Sequence, residues 1–448
     1  MGYHGSQVLS SASLTEKNIT AFVLPNIEAG YRALDQANHE ASIEFYNHAI
    51  NTLDGLQTAE KQLGQIIDVH LQVLQPYIIR GDLDIAKHLI NKTLTLATKA
   101  KDIDSVVKTK LSLMLYYWIK GDFNNCLELG EKILKTPNLD YSYQIPTQAR
   151  ISGVCFDLGL FTKSAILCKQ NLNKIFKNNG HFERYGLLTI AAIQPYIHLA
   201  SICGFRGNFQ QAYKYASQSW AIAAECNHPF SQAYTNSRLG SIYVHQGRFA
   251  EGLDLLEKNR KFCVFSKNRL FGSYIAIIPY AKARLGDIDG ALKEFRETFD
   301  FEHQKLFEKS FFSQIWGWYA ETLLLAKNYS AALQVCNNAL LNAENMGERY
   351  NQAWLYRLKA DILLASSDSV DSESVTNLIN QSLLRCKQEN LRPSQAHCYI
   401  TLGHLHQKLG QLRKAKMFFS VAAHFFAKMS MFFYENSAVN LSCELVIE

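Results

Sequence analysis

Apolar residues three and four positions apart recur along nearly the whole chain, in runs of about fifteen residues separated by short polar turns. The stretches 232–245 and 250–262 show the form clearly, and strand-type alternation is scarce. The pattern predicts helices throughout. The turns between runs share a signature: a glycine, an apolar residue two places on, and a small residue five places on. It reads Gly81, Leu83, Ala86; then Gly121, Phe123, Cys126; Gly159, Phe161, Ser164; and Gly207, Phe209, Ala212. It continues as Gly247, Phe249, Gly252; Gly286, Ile288, Ala291; and Gly410, Leu412, Ala415, with Lys327, Tyr329, Ala332 as a glycine-free copy. Residues 37–42 read as a degenerate first copy.

Each part of the signature has a physical task. Glycine takes the left-handed conformation that ends a helix at low cost. The apolar residue plugs the corner between two helices, and the small residue lets the second helix approach the first. Successive spacings from Gly81 to Lys327 are 40, 38, 48, 40, 39 and 41 residues. Each unit is therefore a helical hairpin of about forty residues that cannot bury its apolar faces alone and must stack on neighbours. The expected fold is all-α, a right-handed α-solenoid of about ten stacked hairpins with a concave groove. Residues 15–365 form the main array, 366–374 an acidic, disordered turn, and 375–448 a final repeat with a basic capping helix. Residues 1–14 read as a flexible, polar N-terminus. The stretch 135–145, with Pro137 and Pro146 at its edges, is expected to be a long connection between hairpins.

These units resemble tetratricopeptide repeats, most visibly at Leu239-Gly240-x-x-Tyr243-x-x-x-Gly247-x-Phe249-x-x-Gly252. The period near forty is similar to the longer-helix variety of bacterial signal-transduction ATPases. The segment Gly347-Glu348-Arg349-Tyr350, the run 357–365 and the helix entry Asn227-His228-Pro229-Phe230 extend the likeness. They resemble the C-terminal repeat region of large bacterial proteins that couple an ATPase module to adenylate or guanylate cyclase domains, or to a maltose-activator-type DNA-binding domain. The resemblance covers the chain from about Ile27 onward. It implies a sensor or scaffold in signal transduction, because the phosphate-cradling Gly-x-x-x-x-Gly-Lys-Ser/Thr loop of the ATPase is missing.

Composition narrows the rest. The 448 residues include 48% hydrophobic and 19% charged residues, enough apolar surface for an extended core. No run of about eighteen apolar residues predicts a membrane span, and the N-terminus lacks the basic start and apolar stretch of an export signal. A cytoplasmic setting is the expectation, with a secreted effector as the alternative. The 10 cysteines form no Cys-x-x-Cys pair and read as reduced core residues. Net charge is +6 overall, but residues 381–430 alone carry eight basic residues against Glu389, so the remainder sits at −1.

Candidate chemistry is that of binding. No nucleophile elbow or zinc-protease motif occurs, so the chain reads as non-catalytic and without cofactor. His397, His404 and His406 lack a completing ligand set, so no metal site is expected. The repeat register points Tyr234, Ser237, Ser241 and His245 toward the groove, with Tyr280 and Arg284, and with His397, Ile400, His404 and Lys408 in the last repeat. Such hydroxyls, imidazoles and cations suit an acidic or extended peptide, or an acidic protein partner. The basic end (Arg413, Lys414, Lys416) precedes a helix holding Phe418, Phe419, Phe425, Phe426, Phe432, Phe433 and Tyr434, a stripe expected to pack as the capping core. Nucleic acid is disfavoured, since phosphate binders spread cations along a whole face. A small-molecule or signal-peptide sensor is the alternative to a protein scaffold. Exposed aromatics at the end leave self-association open.

Overall fold

At Gly121 the backbone turns left-handed (φ +77°), and one helix gives way to the next within two residues. The Gly121 N–H returns to Trp118 O (3.0 Å) and the Asp122 N–H to Tyr117 O (2.8 Å), while the Asp122 carboxylate accepts the Asn125 N–H. All eight signature positions behave alike: seven glycines and Lys327 (φ +58°) have positive φ. The small residues at the fifth position, from Ala86 to Ala415, are buried in every copy. The plug residue is buried in Phe123, Phe161, Phe209 and Phe249 and half-buried in the other copies. Small side chains there let paired helices touch along their length. Cys126 Sγ–H reaches Met114 O (3.3 Å) and Ser164 Oγ–H reaches Ser152 O (2.9 Å) across the pair.

The computed structural model describes residues 16–36, 38–54, 63–265, 271–298, 309–366 and 371–445. Among these residues there are 21 helices and no strand, arranged as ten consecutive hairpins and a capping helix, Phe432–Cys443. The fold is thus an all-helical solenoid of stacked hairpins. No helix among the described residues is long and apolar enough to cross a membrane. The degenerate first copy falls at the junction of Glu16–Asp35 and His39–Asp54; residues 1–14 lie outside the described part.

Four expectations are corrected. Residues 372–374 are not turn but the start of the helix Ser372–Glu389, because Asp371 caps it by accepting the Ser374 N–H (3.1 Å); residues 367–370 lie outside the described part. The connection at 135–145 is shorter than expected. Asp140 caps the helix Tyr141–Asp157, and Pro146 sits within it, near its start. The aromatic stripe belongs to two helices, since Ser430 turns left-handed (φ +55°) between Leu412–Lys428 and Phe432–Cys443. Phe419 and Phe426 are fully buried, whereas Phe432 is 65% exposed.

The fourth correction concerns the groove, which a seam between distant hairpins makes narrower than an open superhelix would leave it. The middle hairpins pack against hairpins nearly 200 residues later, the Arg349 N–H donating to Leu158 O (3.0 Å). Glu389, almost fully buried, accepts from the Thr162 N–H (3.4 Å) and pairs with Arg206 and Arg349 (3.7 Å each). Gln246 Nε2 donates to Ser430 O (3.0 Å), and the Phe249 and Phe433 rings meet edge-on at 5.1 Å. Two apolar clusters run through this seam: Phe156, Phe161 and Phe205 with Ala353 and Leu391, and Phe209 and Ile242 with Phe426, Met429 and Met431. Such clusters exclude water from the seam and make it a fixed wall.

The spacing of 48 residues between Gly159 and Gly207 has its own explanation. The extra residues form the non-helical link 178–192 between Phe161–Lys177 and Ile193–Phe205. The link turns inward: Leu187, Ile190, Ala191 and Ala192 are buried, and the Ile190 N–H bonds Ser231 Oγ (3.0 Å).

Candidate functional site

The seam narrows the groove to a partly open pocket of 220 Å³. First helices of successive hairpins supply its walls at helical spacing: His245; Tyr280 and Arg284; Trp318 and Glu321; Tyr350, Trp354 and Arg357; then His397 and Ile400. Phe426 and Tyr434 close it from the C-terminal end. A continuous aromatic belt results. Tyr280 and Trp318 lie 4.4 Å apart, Trp318 and Trp354 4.5 Å, and Phe205 and Tyr350 stack at 4.2 Å. His397 meets Tyr434 at 4.6 Å.

The two arginines of this cavity differ. Arg357 is held between carboxylates, to Glu321 (3.0 Å) and Asp361 (2.6 Å), and Asp361 also accepts the Thr401 hydroxyl (2.7 Å). Burial opposes the Arg357 charge, and those two carboxylates more than restore it. Arg284 has no carboxylate partner among the described residues. Its guanidinium lies over Phe249 (4.9 Å), Phe433 (5.2 Å) and Tyr434 (5.5 Å), and donates weakly to the Tyr280 hydroxyl (3.4 Å). The histidines are neutral. Burial first, then the charge of Arg238, lowers His245 to about 4. Burial, then Arg357 and Arg284, puts His397 well below its usual value. The wall carries Arg284 and Arg357 against Glu321, and Asp361 behind it is the second partner of Arg357, so the four charges sum to zero and Arg284 is the cation without a contacting carboxylate among the described residues.

Of the groove residues read from the sequence, His245, Tyr280, Arg284, His397 and Ile400 meet in this cavity. Ser241 lines a smaller space of 30 Å³ beside it, and its hydroxyl donates to Ser237 O (3.0 Å). Tyr234 lines a third cavity further along. Ser237 is a correction: it is buried against Cys263 (3.7 Å). At 100° per residue it sits about 60° off the stripe through Tyr234, Ser241 and His245, turned toward its partner helix. His404 also departs from expectation, packing edge-on against Phe419 (5.1 Å), and Lys408 lies at the exposed end of its helix, clear of the cavity. His406 stacks on Phe418 and shares a hydrogen bond with Gln411 Oε1 (2.8 Å). Arg413, Lys414 and Lys416 are exposed on Leu412–Lys428, away from the cavity.

Sequence reading did not single out Glu321, Tyr350, Trp354 or Arg357 as groove residues. The signal for Tyr350, Trp354 and Arg357 was their i, i+4, i+7 spacing on one helix, which was masked by apolar residues all round it. All 10 cysteines are unpaired, seven of them buried.

No family model matches the chain, and no curated protein matches it. Among solved structures it is similar to a Rap protein complexed with Competence and Sporulation Factor, at 10% identity over 91% of this chain and 98% of that one, TM-score 0.45. It is also similar to the apo form of the quorum sensor NprR from B. thuringiensis (12% identity, 81% and 99% coverage, TM-score 0.48). A third similarity is to yeast Tom70 (13% identity, 94% and 96%, TM-score 0.36). The likeness is one of architecture.

Proposed function

We propose that the chain is a non-catalytic binding protein that takes a peptide, or a short segment of a protein, into this cavity and recognises a carboxylate on it. The observation that carries this reading is Arg284: a guanidinium on the cavity wall, flanked by three aromatic rings, with no carboxylate partner among the described residues. Burial opposes the Arg284 charge while Tyr280, Tyr434 and Glu321 favour it, and an incoming carboxylate adds the direct partner it lacks. A cavity of 220 Å³ admits a side chain or chain terminus rather than a folded surface. The aromatic belt supplies apolar contact at small entropic cost. Neutral histidines and Tyr280 can donate or accept hydrogen bonds without adding charge.

The test is an array of short acidic and neutral peptides probed with the native chain and with Arg284→Met. Acidic peptides retained by the native chain should bind the variant about 10- to 100-fold more weakly, the worth of one charge-assisted hydrogen bond. A parallel variant with Arg413, Lys414 and Lys416 changed to Glu should bind as the native chain does. If the Arg284 variant retains the same peptides, or only the charge-reversed end loses them, the cavity reading is wrong.

A further inference from the structure

The third cavity, of 60 Å³, lies along the same interior but is separated from the first by the walls of the second, and nothing in the reading above uses it. Its lining brings together four nitrogen-bearing side chains with an atom that has no protein partner: Gln75 Nε2, Arg150 Nε, His198 Nδ1 and Arg238 Nε. Arg150 is only 5% exposed. Its one hydrogen bond goes to the Pro146 carbonyl at 3.3 Å, and no carboxylate pairs with it among the described residues. Arg238 lies over the rings of Tyr274 (4.9 Å) and Phe156 (5.0 Å). Buried cations in proteins are paired or ligated, because an isolated one forfeits its hydration. Here the donors outnumber the acceptors. The one carboxylate on the wall is Asp157, and one of its oxygens already accepts Trp118 Nε1–H (2.5 Å).

We propose that this cavity is a binding site for a small free monocarboxylate of two to four carbons, with Arg150 and Arg238 on the carboxylate and Leu187, Leu188 and Phe230 around the hydrocarbon end. The charge argument selects a monoanion. Two arginines against Asp157 leave one positive charge, which a monocarboxylate balances and a phosphate dianion would overshoot. The size argument selects a short acid, since a cavity of 60 Å³ admits only a few heavy atoms. The inward link 178–192 supplies Leu187, Leu188 and Thr189 to this wall, so the single irregular spacing in the repeat array is what builds the site. The proposal is independent of the peptide reading, because it uses neither Arg284 nor the first cavity.

Thermal unfolding of the whole chain in sodium propionate, sodium phosphate and sodium chloride, matched in ionic strength at pH 7.5, tests it; the pH is roughly one at which phosphate is mainly the dianion. Propionate in the tens of millimolar should raise Tm by about 1 °C or more above chloride, and phosphate should not. Arg150→Met should lose the propionate shift while unfolding no lower than the native chain in chloride, because it removes an uncompensated buried charge. Arg238→Met, whose arginine is less buried, should lose the shift as well. Equal Tm in propionate and chloride for the native chain shows a water-filled cavity only and overturns the proposal, whether or not either variant folds. An equal shift in phosphate overturns the choice of carboxylate, and an undiminished propionate shift in Arg150→Met overturns the assignment of that residue.

Discussion

Replacing Gly159 by alanine tests whether distant hairpins meet in the seam. Gly159 and Gly410 occupy the same position of the repeat signature and have the same φ, +70°. They differ in what surrounds them. A Cβ on Gly410 would meet nothing within 4 Å, whereas one on Gly159 would lie 2.7 Å from the Tyr350 backbone nitrogen and 3.2 Å from Arg349 Cβ, across the seam. Left-handed backbone costs alanine about 1–2 kcal/mol, of which the lower entropy of its unfolded chain returns about 0.4–1 kcal/mol. Gly410→Ala should therefore cost about 0–1.6 kcal/mol by these terms. Gly159→Ala carries the same cost plus overpacking against backbone that cannot rotate away, about 1–3 kcal/mol more. The assay is urea unfolding followed by circular dichroism, with amide exchange at Arg349, whose N–H bonds Leu158 O (3.0 Å). Exchange there should accelerate in Gly159→Ala and stay native in Gly410→Ala. Equal destabilisation by the two variants, with Arg349 exchange unchanged in both, would refute the seam.

Two further predictions rest on single side chains. Glu348, 1% exposed, accepts Asn351 Nδ2 (2.8 Å) and lies beside Ser313, and burial raises its carboxyl from 4.5 to about 8. A carboxyl that stays protonated in the fold but ionises when unfolded withdraws stability as pH rises from about 4.5 to about 8, by up to about 4–5 kcal/mol. Glu348→Gln should flatten the fall in urea midpoint over that window, leaving below about pH 6 the smaller contribution of Asp157, which burial also raises; an unchanged slope would contradict the buried neutral acid. Lys327 holds a left-handed backbone (φ +58°) where the other copies have glycine. Lys327→Gly should raise the melting free energy by about 0.5–1 kcal/mol, the relief of strain less the added freedom of the unfolded chain, and a lower melting temperature would show that the lysine side chain contributes more than its backbone costs.

The hairpins were legible because each is decided locally. One residue able to turn left-handed, one plug and one small side chain within six positions fix a corner whatever lies elsewhere, which is why even the glycine-free copy at Lys327 could be placed. Inward-facing residues such as His245, Arg284 and His397 followed from helical spacing and the repeat register. Ser237 did not, because a helix packed on several sides has an apolar or small residue on nearly every face, and the register alone leaves tens of degrees of ambiguity. The boundary at Asp371 was missed for a related reason: a polar, serine-rich stretch reads as loop, yet an aspartate followed three residues later by a free backbone N–H is a helix start.

By itself, then, the sequence determined the helices, their pairing into hairpins and the stripe of side chains each hairpin turns inward, since all of these depend on residues within one repeat. Tertiary structure alone decided that distant hairpins meet in a seam across the groove. The contacts of Leu158 with Arg349, Arg206 with Glu389 and Gln246 with Ser430 join residues about 190 positions apart, and their relative placement accumulates the small rotation of every intervening hairpin. No periodicity in the sequence records that sum. It is also what brings Phe433 and Tyr434 over Arg284, whereas the third cavity, with Arg150 and Arg238, is lined by successive hairpins within residues 75–274.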